Sequence, residues 1–149
     1  KSILSHVGAW AAKAEQVASA VYLEQDTNVE AYLMTIRGEL ELRLRSIYDG
    51  LQSLKSKGHK VDAIAPQAAI YLTVQFDLKG KTTAAGKLLE NTADVTSYLL
   101  DEAKLAIVPF YAFGASRDSN WYRLSVGTCP AEEIPSMLSR LEESLNALK

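Results

Sequence analysis

Cysteine occurs once in these 149 residues, at Cys129, and histidine twice, at His6 and His59. A single thiol cannot close an internal disulfide, which favours a reducing compartment. Without a Cys/His cluster, a zinc centre lacks its usual ligands. No apolar run approaches the length a bilayer span requires, and no charged-then-apolar leader opens the chain. A cytoplasmic location is the expectation. Charge of one sign is scarce too: the net charge is −2, with lysines and acids mixed along the chain. That leaves neither a basic stripe for nucleic acid nor an acidic tail. Gly80-Lys81-Thr82 ends like a phosphate loop, but the first glycine of that motif would fall at position 75, where Gln75 stands. Nothing resembles a nucleophile elbow. An initiator methionine is missing as well, since Lys1 runs straight into Ser2-Ile3-Leu4. Such a start fits a piece excised from a longer protein.

What is present is ordinary for a folded domain. Hydrophobic residues make up 48% and charged residues 23%, close to the globular average. The length suits one domain over 1–149. An alanine-rich stretch at 9–24 carries Trp10, Ala14, Val17, Val21 and Tyr22 at near-helical spacing. After the polar patch Gln25-Asp26-Thr27-Asn28, apolar residues recur as Leu33, Ile36, Leu40, Leu44, Ile47, Leu51 and Leu54. Steps of three and four predict a long amphipathic helix. Lys55 and Lys57 suit the negative end of its dipole, and Gly58 suits a left-handed cap.

The period then changes. Alternation predicts a strand at 70–77 with Ile70, Leu72, Val74 and Phe76 on one face. A loop at 78–93 follows, with a short helical turn near Leu88-Leu89. Thr92 or Asp94 caps the next helix, which carries Val95, Tyr98, Leu99 and Ala103. A short apolar strand at 105–109 ends at its proline, and a loop at 110–120 leads to a strand at 121–126. Pro130 suits the first turn of a closing helix that turns Ile134, Leu138, Leu141, Leu145 and Leu148 inward. The expected fold is an α/β (α+β) sandwich. It has two long N-terminal helices and a small mixed or antiparallel sheet, with helices mainly on one face.

Two positions invite chemical readings. Cys129 lies beside Pro130 at a helix start, where a thiol pKa can fall; the plainer reading is a small residue near a cap. In Trp121-Tyr122-Arg123-Leu124-Ser125-Val126, alternation sends Tyr122, Leu124 and Val126 inward and Arg123 away from the core. An arginine on the outer face of a sheet is commonplace. A planar guanidinium beside an aromatic is also well suited to gripping a carboxylate through two parallel hydrogen bonds.

Several segments together resemble the class I/II aminotransferases, fold type I of the pyridoxal-phosphate enzymes. They are Leu99-Leu100-Asp101-Glu102-Ala103-Lys104-Leu105-Ala106-Ile107-Val108-Pro109, Phe113-Gly114, and Tyr122-Arg123-Leu124-Ser125. Pro66-Gln67-Ala68-Ala69-Ile70-Tyr71-Leu72 is similar to the strand that opens the family's small domain. Gly8-Ala9-Trp10 through Glu15-Gln16-Val17-Ala18 is similar to the helix start after its cofactor-binding core. The segments stand in family order over nearly the whole chain. One departure is Ala12, where many relatives carry proline.

The resemblance implies the C-terminal small domain of an aminotransferase, with aspartate- or aromatic-type transfer between an amino acid and a 2-oxo acid. Arg123 is then the residue that holds the substrate α-carboxylate. Phe113 and Gly114 fall in the loop expected to approach the cleft, without an assigned role. Pyridoxal 5'-phosphate is implied for the full-length enzyme but not for this chain. The family's imine-forming lysine, ring-clamping aspartate and phosphate-binding groups belong to a large domain whose motifs are not found here. A homodimer that closes its small domain over the substrate is implied for the whole protein, and the chain alone is expected to be inactive. Other readings keep the fold and change the chemistry: a decarboxylase, lyase or synthase, or the ligand-sensing half of a transcription regulator. An independent α/β binding module is the remaining alternative.

Overall fold

A computed structural model of the protein describes Gly8 and residues 11–149. The chain forms two compact units, Lys1–Gly38 and Glu39–Lys149. In the first, α1 spans Lys13–Leu23 and α2 begins at Asp26. Part of the expected helical stretch, with Trp10, lies outside the described residues. The polar patch makes the break between the helices, as Asn28 returns its backbone N–H to the Gln25 carbonyl at 2.9 Å and its side-chain amide to Gln25 Oε1 at 2.6 Å. Tyr22 and Tyr32 meet edge to face across this corner, with centroids 6.4 Å apart.

The second unit is built around the rest of α2, which runs to Ser56 and buries Leu44, Ile47, Leu51 and Leu54. Its end follows the expectation. Gly58 has φ +96°, Gly58 N–H returns to the Lys55 carbonyl at 2.9 Å, and His59 N–H returns to the Leu54 carbonyl at 3.2 Å. These two bonds satisfy carbonyls that a helix end leaves unpaired, and the left-handed turn is one that glycine adopts without strain.

Four strands follow in the order β1-β2-β4-β3, antiparallel throughout. They are β1 (Val61–Ala63), β2 (Tyr71–Phe76), β3 (Val108–Pro109) and β4 (Trp121–Ser125). Every second strand residue is buried: Val61, Ala63, Leu72, Val74, Phe76, Tyr122 and Leu124. They form one core with Leu44, Ile47, Leu51 and Leu54 of α2, Val95 and Leu99 of α3 (Thr92–Ala103), and Ile134 and Leu141 of α4 (Ile134–Asn146). Phe76 and Tyr122 meet edge to face at 5.9 Å inside it. Each fully buried side chain of this size contributes roughly 1.5–3 kcal/mol through the area it removes from water. One sheet face is covered by helices and the other is not.

Local details differ from the sequence expectation. Leu88 is not in a helical turn: it pairs with Thr82 across a small hairpin, in which Gly80 N–H reaches the Leu89 carbonyl at 2.8 Å and Leu89 N–H the Lys81 carbonyl at 2.9 Å. Backbone groups spent across this ladder cannot close helical bonds. The cap of α3 is neither Thr92 nor Asp94. Asn91 Oδ1 accepts from Ala93 N–H at 2.9 Å and Asp94 N–H at 3.1 Å. Thr92 is buried instead and donates to the Arg117 carbonyl at 3.0 Å. The strand expected at 105–109 shrinks to Val108–Pro109. Leu105 is diverted into ending α3, with its N–H on the Leu99 carbonyl at 3.0 Å after Lys104 turns left-handed at φ +56°. Pro130 precedes a single 3-10 turn, Ala131–Glu133, and Pro135 rather than Pro130 lies in the first turn of α4.

Candidate functional site

The uncovered sheet face carries Arg123. Strand register places Arg123 of β4 between Thr73 of β2 and Val108 of β3. Side chains of directly opposed residues share a face, so these three lie on the side away from the core. Tyr71 stands two pairs further along and so on the same face, opposite Ser125. From another direction comes Phe113, at the end of the 3-10 turn Phe110–Phe113. Gly114 ends that turn at φ +91°, donating to the Tyr111 carbonyl at 3.1 Å. A side chain there would be strained, and the reversal leaves Phe113 leaning back over the sheet.

The outcome is an aromatic mount for a cation. The guanidinium carbon of Arg123 lies 4.3 Å from the Tyr71 ring centroid and 4.2 Å from the Phe113 centroid. Both separations are well inside the range at which a ring quadrupole attracts a cation. Among the described residues, no carboxylate pairs with Arg123 and no carbonyl accepts from it. The acid on the same face, Asp62, is committed elsewhere. Lys55 Nζ is 2.6 Å from one of its oxygens and Gln52 Nε2 3.0 Å from the other. The lysine first, then the glutamine, holds its carboxyl below the ordinary 3.8. Gln75 and Asn120 satisfy each other at 3.1 Å. A half-buried guanidinium with its donors unclaimed is fitted to a planar anion.

Arg123 is therefore on the face that alternation assigned to it. The sequence reading placed Phe113 in the loop approaching the cleft without a task, and it saw Tyr71 only as part of a strand motif. Neither ring's contact with Arg123 was foreseen. Strand register brings Tyr71 to Arg123, and the reversal at Gly114 brings Phe113.

Other candidates fall away. Burial first, then Glu133, pushes the Cys129 thiol up, the opposite of an activated nucleophile. Tyr122, buried in the core, is pushed up to about 12, mainly by loss of solvent. No group of three or more His, Cys, Asp or Glu among the described residues is placed to hold a metal ion. No described helix is long and apolar enough to cross a membrane.

The family model for aminotransferase class I and II matches residues 4–141. A probable aspartate/prephenate aminotransferase of Rickettsia felis is 37% identical over 84 residues, which is 56% of this chain and 20% of that protein. An aspartate aminotransferase of Rhizobium meliloti is 33% identical over 89 residues, 59% of this chain and 21% of that one. The chain thus spans about a fifth of the length of the curated relatives it matches. Among solved structures, the aspartate aminotransferase from Rhizobium meliloti superposes with TM-score 0.60 at 27% identity, over 78% of this chain and 26% of its own. The aromatic aminotransferase from Pyrococcus horikoshii shares the fold, with TM-score 0.68 at 22% identity over 88% of this chain and 31% of its own. With a family match over most of its length and the same fold in those structures, the chain belongs to the class I and II aminotransferases.

Proposed function

We propose that residues 1–149 are the small domain of a pyridoxal-phosphate-dependent amino acid:2-oxo acid aminotransferase, and that Arg123 binds the α-carboxylate of its substrates. The observation that carries this reading is the guanidinium of Arg123, mounted on two aromatic rings on the bare sheet face with no acceptor among the described residues. Relatives that act on aspartate favour an aspartate-type donor, and the aromatic enzyme of the same fold keeps the aromatic type open.

The described residues do not by themselves fit the cofactor. Lys55, Lys57 and Lys87 are paired with Asp62, Glu142 and Asp94, and Lys79 donates to the Asp118 carbonyl. Pyridoxal phosphate and the lysine that carries it belong to the remainder of the full-length protein. The part of this chain is binding and orientation. Two parallel N–H bonds from one planar fork fix both the position and the tilt of a carboxylate, and so fix the direction of the neighbouring Cα–H bond. Closing the bare face against the rest of the protein would shield that pair from water and strengthen it. A homodimer of the full-length enzyme is part of the same reading.

The test is Arg123→Ala in the full-length protein. A bidentate pair in a closed cleft is worth about 2–4 kcal/mol when broken, so kcat/KM for amino acids should fall roughly 10²-fold. Affinity for pyridoxal phosphate should hold. Equal losses in both would reject the carboxylate role.

A further inference from the structure

Arg123 has a feature that carboxylate binding alone does not require: two aromatic rings from different segments approach its guanidinium carbon to 4.3 and 4.2 Å. An arginine side chain has four rotatable bonds, and on an open sheet face it would sample many directions. We infer that Tyr71 and Phe113 are positioning residues, which hold the guanidinium by its faces and leave its N–H edges free to meet a carboxylate. This rests on the reading of Arg123 given above and adds to it a mechanism of pre-organisation.

Three observations support the inference. Both rings are themselves partly exposed, Tyr71 at 39% and Phe113 at 50%, so neither is in place to fill the core. Each is held by its own backbone device. Tyr71 is fixed by pairing with Ser125 on the strand that carries Arg123. Phe113 is fixed by the left-handed Gly114 and by its edge-to-face contact with Phe110 at 6.1 Å. The third observation is chemical. A ring face attracts a cation without consuming its hydrogen-bond donors, whereas a carboxylate or carbonyl neighbour would consume them. Rings therefore fix the arginine and leave it unsatisfied.

The experiment uses the full-length holoenzyme and the unreactive dicarboxylate glutarate, with its Kd measured by calorimetry and KM and kcat for the amino donor measured alongside. Tyr71→Leu and Phe113→Leu should each raise the Kd and KM about tenfold, with a smaller fall in kcat, since most of the cost of losing the mount falls on carboxylate binding. Tyr71→Phe and Phe113→Tyr keep the ring faces and should bind glutarate within about twofold of the parent. In an Arg123→Ala background, the leucine substitutions should have no further effect on Kd. If Arg123→Ala weakens glutarate but the leucine variants bind like the parent, the positioning role is overturned while Arg123 keeps its own. If Arg123→Ala leaves the Kd unchanged, the carboxylate reading fails first. Tyr71→Phe as defective as Tyr71→Leu, or a leucine effect that persists without Arg123, would also overturn the inference.

Discussion

Arg43, in the middle of α2, donates from Nη1 to the carbonyl of Gly127 at 3.0 Å, tying the helix to the turn that leaves β4. Gly127 lies four residues beyond Arg123 in sequence. The same guanidinium holds Glu39 at 2.8 Å, while its Nε is buried without an acceptor. Arg43→Met keeps the stem packed and removes the charged donor. A hydrogen bond from a charged group nets about 1.5–3 kcal/mol, and relief of the unpaired Nε offsets part of it. The expected cost is about 1–2 kcal/mol, read as a lower thermal midpoint; an unchanged midpoint would show that the tie is not stabilising.

Gly50 of α2 faces Leu138 of α4 with no room for a side chain between them. A Cβ there would sit 2.3 Å from Leu138 Cδ1 and 2.7 Å from Cδ2. Gly50→Val must displace that leucine, and overfilling of this kind costs about 1–3 kcal/mol. Combining it with Leu138→Ala should cost less than the two single changes added together, as expected of residues that share one space. Additive losses in denaturant melts would contradict the contact.

The ion pair of Asp62 gives stability a pH dependence of known sign. Its carboxyl is held below 3.8 in the folded chain, first by Lys55 and then by Gln52. The unfolded chain then takes up the proton more readily, so the contribution is complete above about pH 4 and is lost as pH falls through the folded value. Asp94, held down first by Lys87, acts in the same direction. Asp62→Asn should flatten the fall of the urea midpoint between pH 4 and pH 2. Identical slopes in parent and variant would exclude Asp62 as a source.

Alone, residues 1–149 should show no transaminase activity and only scattered reaction of surface lysines with pyridoxal phosphate. Borohydride reduction followed by peptide mapping is the check. A stoichiometric adduct at one lysine would mean that the chain carries a cofactor site of its own.

How much of this the sequence reveals depends on how local each determinant is. The end of α2 was legible because Gly58 and the lysines before it act within one turn. The outward direction of Arg123 was legible because alternation needs only its neighbours Tyr122 and Leu124. Strand β1 was not, since Val61-Asp62-Ala63 is too short to show a period and exists through pairing with Val74 and Phe76. Nor was the cap of α3: Asn91, Thr92 and Asp94 are all competent acceptors, and the choice fell to Asn91 once Thr92 was drawn into contact with the 117–119 loop. The rings around Arg123 were hidden for the same reason, because sequence order does not say which strand lies next to which.

The sheet ends in two stubs, β1 of three residues and β3 of two. Pro109 gives β3 one fewer N–H to offer a foreign strand. At the other margin, the edge N–H of Ala63 is taken by Asp62 Oδ1 at 2.8 Å and its carbonyl by Gln52 at 3.3 Å. A half-covered sheet with open margins would invite sheet-to-sheet stacking and aggregation. Here both margins are plugged, so a sheet whose outer face shows Tyr71, Thr73, Gln75 and Arg123 can stay half covered without recruiting copies of itself along its edges.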